Sequence, residues 1–322
     1  MKLSERYIVF SRLVEWVACR LHASKIVRLP NMQLGRFFVL GVPTFWLGLF
    51  FFIPFLVVFK ISLSESAIAI PPYTSILTWD WEEAFFDIHI NLGNYLYIFE
   101  DQFYIDAYLS SAKIAAISTL LTLIIGFPMA YVIARSTGAK RVLLLALVIL
   151  PFWTSFLLRV YAWMGLLKQN GLINEVLLSL GIVDQPLMML ETDFAVYIGI
   201  VYTYLPFMVL PLYTALEKMD LTLLEASQDL GAKPYQGFFL VTVPQALPGV
   251  IAGCLLVFIP AVGEFVIPAL LGSSETLMIG RVLWDEFFLN RDWPMASAVA
   301  IVMLVLLVLP IMLFRNGQRA EG

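Results

Sequence analysis

The sequence predicts an all-α integral membrane protein with six transmembrane helices and both termini cytoplasmic. Three observations predict it. The 322 residues are 61% hydrophobic and only 14% charged, with a mean hydropathy of +0.87, whereas soluble chains run at about 45–50% apolar and about 25% charged. Six apolar runs each approach the roughly 20 residues that a helix needs to cross a bilayer. Lys and Arg crowd the flank before the first run and are missing from the connection after it, as expected when positive segments stay in the cytoplasm.

Along the chain, residues 1–35 alternate basic and apolar positions at near-helical spacing as far as Pro30. A cytoplasmic amphipathic segment lying on anionic membrane lipid fits this pattern, and so does a plain topology anchor. Residues 36–60 form the first span, with no charge between Arg36 and Lys60; the run starts too late and is too long for a signal peptide. Residues 61–108 hold no Lys or Arg and eight acids (Glu65, Asp80, Glu82, Glu83, Asp87, Glu100, Asp101 and Asp106), with Tyr73, Trp79, Trp81, Phe85 and Phe86 among them. This extracytoplasmic acidic and aromatic loop either attracts a cation or basic partner or simply obeys the topology rule. The remaining spans fall at 109–134, 142–165, 194–216, 247–271 and 295–314, a core domain over 109–314 followed by a cytoplasmic tail, 315–322. Arg135, Lys140 and Arg141 between the second and third spans, and Arg315 and Arg319 at the end, agree with that orientation.

Several function classes drop out. A net charge of −4 argues against a nucleic-acid partner. Cys19, Cys254, His22 and His89 are the only Cys and His residues, scattered over unlike segments, so no metal site or disulfide framework is expected. No repeat of 20–50 residues appears.

The connection 217–246 is the most informative stretch. EKMDLTLLEASQDLGAKPYQGFFLVTVPQ reads as helix, turn, helix: Thr222 with Glu225 forms a candidate capping box, Gly231 ends the first helix with positive φ, and Pro234 suits the first turn of the second. Glu225, Ala226 and Ser227, Gly231 four residues on, and Val241, Val243 and Pro244 resemble the EAA loop of ABC importer permeases, with Ser227, Val241 and Val243 as mild departures. In that family the loop is a coupling helix that seats in a cleft of a cytoplasmic ATPase. The resemblance therefore implies a type I ABC importer permease fold in a bacterial inner membrane and a second, homologous permease chain, with a heterodimer and a homodimer both open. It also implies two ATPase subunits and a periplasmic binding protein. Glu225 and Asp229 share a face at i and i+4, suited to basic residues of the partner or to solvent. The chain has no GxxxxGK[ST] loop and no Gly-Lys dipeptide, so it is expected to be no enzyme and to bind no cofactor, ATP and Mg being handled by the partner ATPase.

The resemblance covers about 36–314 and is strongest toward polyamine permeases of the putrescine type, through IPPYTSIL, LPFWTSFLLRVYAWMGLL, YIGIVYTYLPFMVLPLYTAL, IPAVGEFVIPALLG and IGRVLWDEFF. Putrescine or a close polyamine such as spermidine is the implied cargo, and another small organic ion is the rival. An alkyl diamine wants carboxylates for its ends and aromatic faces along its path. Glu264 is the one acid deep within a span, a costly placement that points either to substrate or to pairing with Arg159 or Lys113. Trp153, Tyr161, Trp163, Tyr202 and Tyr204 are aromatic candidates, with helix packing or interface anchoring as the plainer reading; Asp285 and Glu286 are candidates on the external side. Pro151, Pro206, Pro211, Pro260 and Pro268 are expected to kink helices. A secondary amine transporter is the alternative from another class; it would show inverted repeats with broken helices and several intramembrane acids. A membrane enzyme would need a nucleophile or acid pair that the sequence lacks.

Overall fold

The structure is a computed structural model that describes residues 32–80 and 85–320. Most of the 1–35 segment lies outside these residues, as do Trp81, Glu82 and Glu83. Contacts divide the chain into two units, Met1–Val57 and Val58–Gly322. Helix α1 (Met32–Leu47) passes through a π-helical turn (Gly48–Phe52) into α2 (Ile53–Ser62), and Val39–Ser62 is long and apolar enough to cross a membrane.

In the second unit, β1 (Leu77–Asp80) and β2 (Phe85–Ile88) pair antiparallel, with Leu77 opposite Ile88 and Trp79 opposite Phe86. This hairpin is a local exception, between α2 and α3, in an otherwise helical chain: Thr, Trp and Phe favour pleated backbone, and two short strands satisfy each other's backbone groups. The Asn94 side chain ties α3 (Gly93–Glu100) back to the carbonyls of Ser62 and Ser64 at 3.1 and 3.0 Å. Asp101 caps the next helix by accepting from the Phe103 N–H at 2.9 Å. That cap explains why α4 (Gln102–Arg135) starts seven residues before the 109–134 span and runs 34 residues.

The expected straight span 142–165 is two pieces. Helix α5 (Gly138–Ile149) and a 3-10 turn (Leu150–Trp153) are followed by α6 (Phe156–Leu167) and α7 (Leu172–Ser179), and the two halves bend by 93°. Pro151 withholds an N–H and tightens the turn, and Thr154 and Ser155 are extended, with ψ of 154° and 136°. Helix α8 (Asp193–Glu217) keeps Pro206 and Pro211 within one continuous helix. The 217–246 connection folds as α9 (Leu221–Asp229) and α10 (Pro234–Gly237), then a π-helical turn (Phe238–Thr242) leads into α11 (Val243–Val262). The expected 247–271 span is broken at Gly263–Phe265 and resumes as α12 (Val266–Leu271); α13 (Ile279–Phe288) and α14 (Trp293–Ala320) complete the chain. Among the described residues, four helices are long and apolar enough to cross a membrane, or five if the bent pair counts as one span, and the apolar part of α14, Trp293–Val308, is shorter.

Helices α4, α8 and α11 pack against one another as the centre of this unit. Their contacts bury small residues such as Ala115, Ala130, Ala195 and Ala246 beside Met208, Leu212 and Ile200, the composition that lets helix backbones approach where lipid offers no hydrophobic drive. Leu271, Glu191 and the α13–α14 turn lie at the end of the bundle that carries the hairpin, while α9 and α10 lie at the other.

Candidate functional site

Two helix breaks carry the candidate residues. The first is the turn between α9 and α10. Asp220 caps α9 by accepting from the Thr222 N–H at 3.0 Å, which corrects the Thr222–Glu225 capping box: Thr222 lies inside the helix, and the carboxylate two residues earlier outcompetes its hydroxyl for the orphan N–H groups. At the other end the Gly231 N–H donates to the Gln228 carbonyl at 2.8 Å and the Ala232 N–H to the Ser227 carbonyl at 3.0 Å. This is a complete Schellman closure with Gly231 at φ +86°, a conformation that costs an L-residue about 1–2 kcal/mol. Pro234 opens α10, and the Lys233 N–H is satisfied by the Gln236 side chain at 2.8 Å.

Both feet of this unit are clamped. Glu217 accepts from the Arg141 guanidinium, whose Nε also holds the Ser136 carbonyl at 2.7 Å. Phe238 packs edge-on against Phe127 and Tyr131 of α4, with centroids 5.5 and 6.1 Å apart. Between the feet the tip stands open: Glu225, Ala226, Asp229, Gly231 and Tyr235 are exposed, and Leu230 is 89% exposed. Ser227 is turned inward and donates to the Leu224 carbonyl at 2.7 Å. Pro244 sits exposed in the first turn of α11. A polar pair beside apolar residues, held on a rigid turn and left uncovered by the described residues, is a surface suited to another protein.

The second break is buried. Where α11 stops at Val262, the carboxylate of Glu264, 8% exposed, accepts from the Val266 and Ile267 N–H groups at 3.1 and 3.4 Å through Oε1, and from the Tyr204 hydroxyl at 2.6 Å through Oε2. Its oxygens thus satisfy the backbone donors that the break frees, the condition for non-helical backbone at membrane depth. Helix α13 lies directly on the break: a Cβ on Gly280 would stand 2.4 Å from the Gly263 carbonyl oxygen and 2.7 Å from that of Glu264. Among the described residues no ion pair joins Glu264 to Arg159 or Lys113. Arg159 instead lies over the Phe152 and Phe156 rings at 5.4 and 6.0 Å, its Nε and Nη1 buried with no hydrogen-bond partner.

The other candidates are dispersed. Trp153 is 85% exposed and Tyr161 is exposed. Tyr202 meets Trp163 edge-to-face at 5.5 Å and lines a cavity of about 470 Å³ with Pro128, Pro151 and Pro206. Asp285 is half-buried on α13, next to Glu286, which accepts from Tyr104 and Asn290 at 2.9 Å each. Tyr204, one of five aromatic candidates, is the one that meets Glu264. The spacing of 60 residues between them hides this, and so do the roles of Gly280 and of Ser111, whose hydroxyl accepts from the Ile279 N–H at 2.7 Å. Among the described residues no three of His, Cys, Asp or Glu gather as metal ligands.

Residues 31–321 match the family described as binding-protein-dependent transport system inner membrane component. The spermidine/putrescine transport system permease protein PotB of Haemophilus influenzae is 41% identical over 274 residues, 85% of this chain and 91% of that protein; PotB of Escherichia coli is 40% identical over the same length, 94% of its chain. Among solved structures, a bacterial ABC transporter involved in the import of the acidic polysaccharide alginate superposes with a TM-score of 0.64 at 16% identity, covering 90% of this chain and 97% of that one. That degree of likeness shows the shared fold. The chain belongs to the binding-protein-dependent inner-membrane family and is a multi-pass inner-membrane protein.

Proposed function

From that membership we propose that the chain is the membrane-spanning permease subunit of an ATP-driven ABC importer whose cargo is putrescine or a close polyamine such as spermidine. The observation that carries the reading is the exposed Schellman turn at Gly231, in register with Glu225, Ala226 and Pro244, on a chain 41% identical to a relative named for spermidine/putrescine transport. In this reading six spans place both termini in the cytoplasm, the bent pair counting as the third and α14 as the sixth. The α9–α10 tip then seats on one of two ATPase subunits, which hydrolyse ATP in place of this non-catalytic chain. A second permease chain completes the pathway, and a periplasmic binding protein delivers the amine. Broken helices would suit a secondary carrier equally; the clamped, exposed tip favours the importer, because a self-sufficient carrier has no use for it.

Energetics assign ATP a particular part. A dication already gains about 4.6 kcal/mol on moving inward across 100 mV, so hydrolysis serves direction, scavenging and protection against leak. The test is purification of the tagged chain from its native membrane in mild detergent, with mass spectrometry of what accompanies it and uptake competition by unlabelled diamine and triamine. Recovery of a Walker-motif ATPase and a second permease, with competition by either amine, supports the reading. A chain that purifies alone and moves diamine in empty liposomes overturns it.

A further inference from the structure

We propose that six aromatic rings, from Phe265 through Trp284, Phe288 and Phe287 to Trp293 and Tyr73, form a track for the ammonium groups of the cargo, leading from a cavity at the hairpin end of the bundle to the carboxylate of Glu264. The proposal rests on the polyamine reading above and names the path of that cargo. Trp284 and Phe288, at i and i+4 on α13, have centroids 4.1 Å apart. Phe265 stacks on Trp284 at 4.4 Å and 10°. Toward the other end, Phe287 meets Phe288 at 4.8 Å and stacks on Trp293 at 4.9 Å and 4°, and Trp293 lies 6.3 Å from Tyr73.

The two ends give the series a direction. Phe265 directly follows Glu264, while Trp293 lines a cavity of about 550 Å³ together with Asn290, Arg291 and the 66–72 segment. The intervening helix climbs between those levels: its start donates to Ser111, and Glu286 near its finish binds Tyr104, seven residues away along α4, a rise of about 10 Å. Trp284 and Phe288 remain 41% and 53% exposed, so each keeps ring surface that its stacking partners leave uncovered. Such uncovered aromatic surface attracts ammonium groups and packs against methylenes, and indole does so best. Several weak sites in series also let a multivalent cation leave again, as conduction requires. Arg291 repels an amine at the rim of the cavity, so the attraction there falls to the ring faces and to Asp285, Glu286 and Asp292 nearby in sequence.

The test uses the complete transporter with its binding protein in proteoliposomes, carrying Trp284→Leu or Phe288→Leu, with Trp284→Phe and Phe288→Tyr as conservative partners. Initial uptake of labelled putrescine and spermidine is measured beside ATPase stimulation by the loaded binding protein. Each leucine variant is expected to lower uptake about fivefold, each aromatic variant to stay within about twofold of wild type, and ATPase stimulation to hold in all four. Leucine variants that transport at the wild-type rate overturn the track, as do aromatic variants that fall as far as the leucine ones, since that pattern belongs to packing. A wild-type complex that takes up neither amine removes the cargo reading and the track with it; a transporting wild type beside unimpaired leucine variants removes the track alone.

Discussion

The two helix breaks, at Gly231 and at Gly263–Phe265, do the same geometric job by opposite means. The Gly231 turn is held by its own backbone: every closing hydrogen bond spans five residues or fewer, and a Cβ placed on Gly231 meets nothing within 4 Å. The buried break is held by the rest of the molecule, through Tyr204 from α8 and the carbonyls pressed against Gly280 of α13. A turn of the first kind keeps its shape while its surface stays free for a partner. A turn of the second kind moves only if the helices around it move, so it is placed to feel rearrangement of the bundle.

Substitutions that attack each break sharpen this contrast. The largest effect is expected from Gly280→Ala: backbone carbonyls at 2.4 and 2.7 Å cannot withdraw as a side-chain tip would, so folded protein in detergent should fall below detection by size-exclusion chromatography. Next comes Glu264→Ala, which strands the Tyr204 hydroxyl and two backbone N–H groups in a buried site and should cost about 3 kcal/mol, read as a lower midpoint in thermal unfolding. Glu264→Gln, still an acceptor for the N–H groups, should recover most of that loss. Gly231→Asp should leave the unfolding midpoint of the purified chain nearly unchanged, because the strain of about 1–2 kcal/mol falls on an exposed tip, yet abolish uptake by the assembled transporter; normal uptake would remove the coupling role. The smallest effect is expected from Asp220→Ala, where losing the cap of α9 costs about 1 kcal/mol and should show as faster amide exchange confined to 221–225.

Legibility follows the same division. The spans were readable where a helix lies wholly within one apolar run, as at 194–216 against Asp193–Glu217, because hydropathy is a sum over neighbours in sequence. Gly231 and Pro234 were readable because φ > 0 and a missing N–H are properties of single residues. The N-cap was misassigned by two positions, since Thr222 and Asp220 both carry suitable oxygens and only the folded geometry selects between them. Glu264 stood out as a lone deep acid, yet its partners did not, and neither did the 93° bend after Pro151 nor the hairpin inside an acidic loop.

Composition and local chemistry alone determined that this is a multi-span membrane protein with an exposed helix-turn-helix closed by a glycine, for lipid selects apolar runs and the backbone selects glycine without reference to distant residues. Tertiary structure decided which deep groups meet: Glu264 with Tyr204 rather than Arg159, Gly280 against the broken helix, and Phe265 on Trp284. Each of these contacts joins segments that are far apart in sequence, and only the packing of α4, α8, α11 and α13 brings them within a few ångströms.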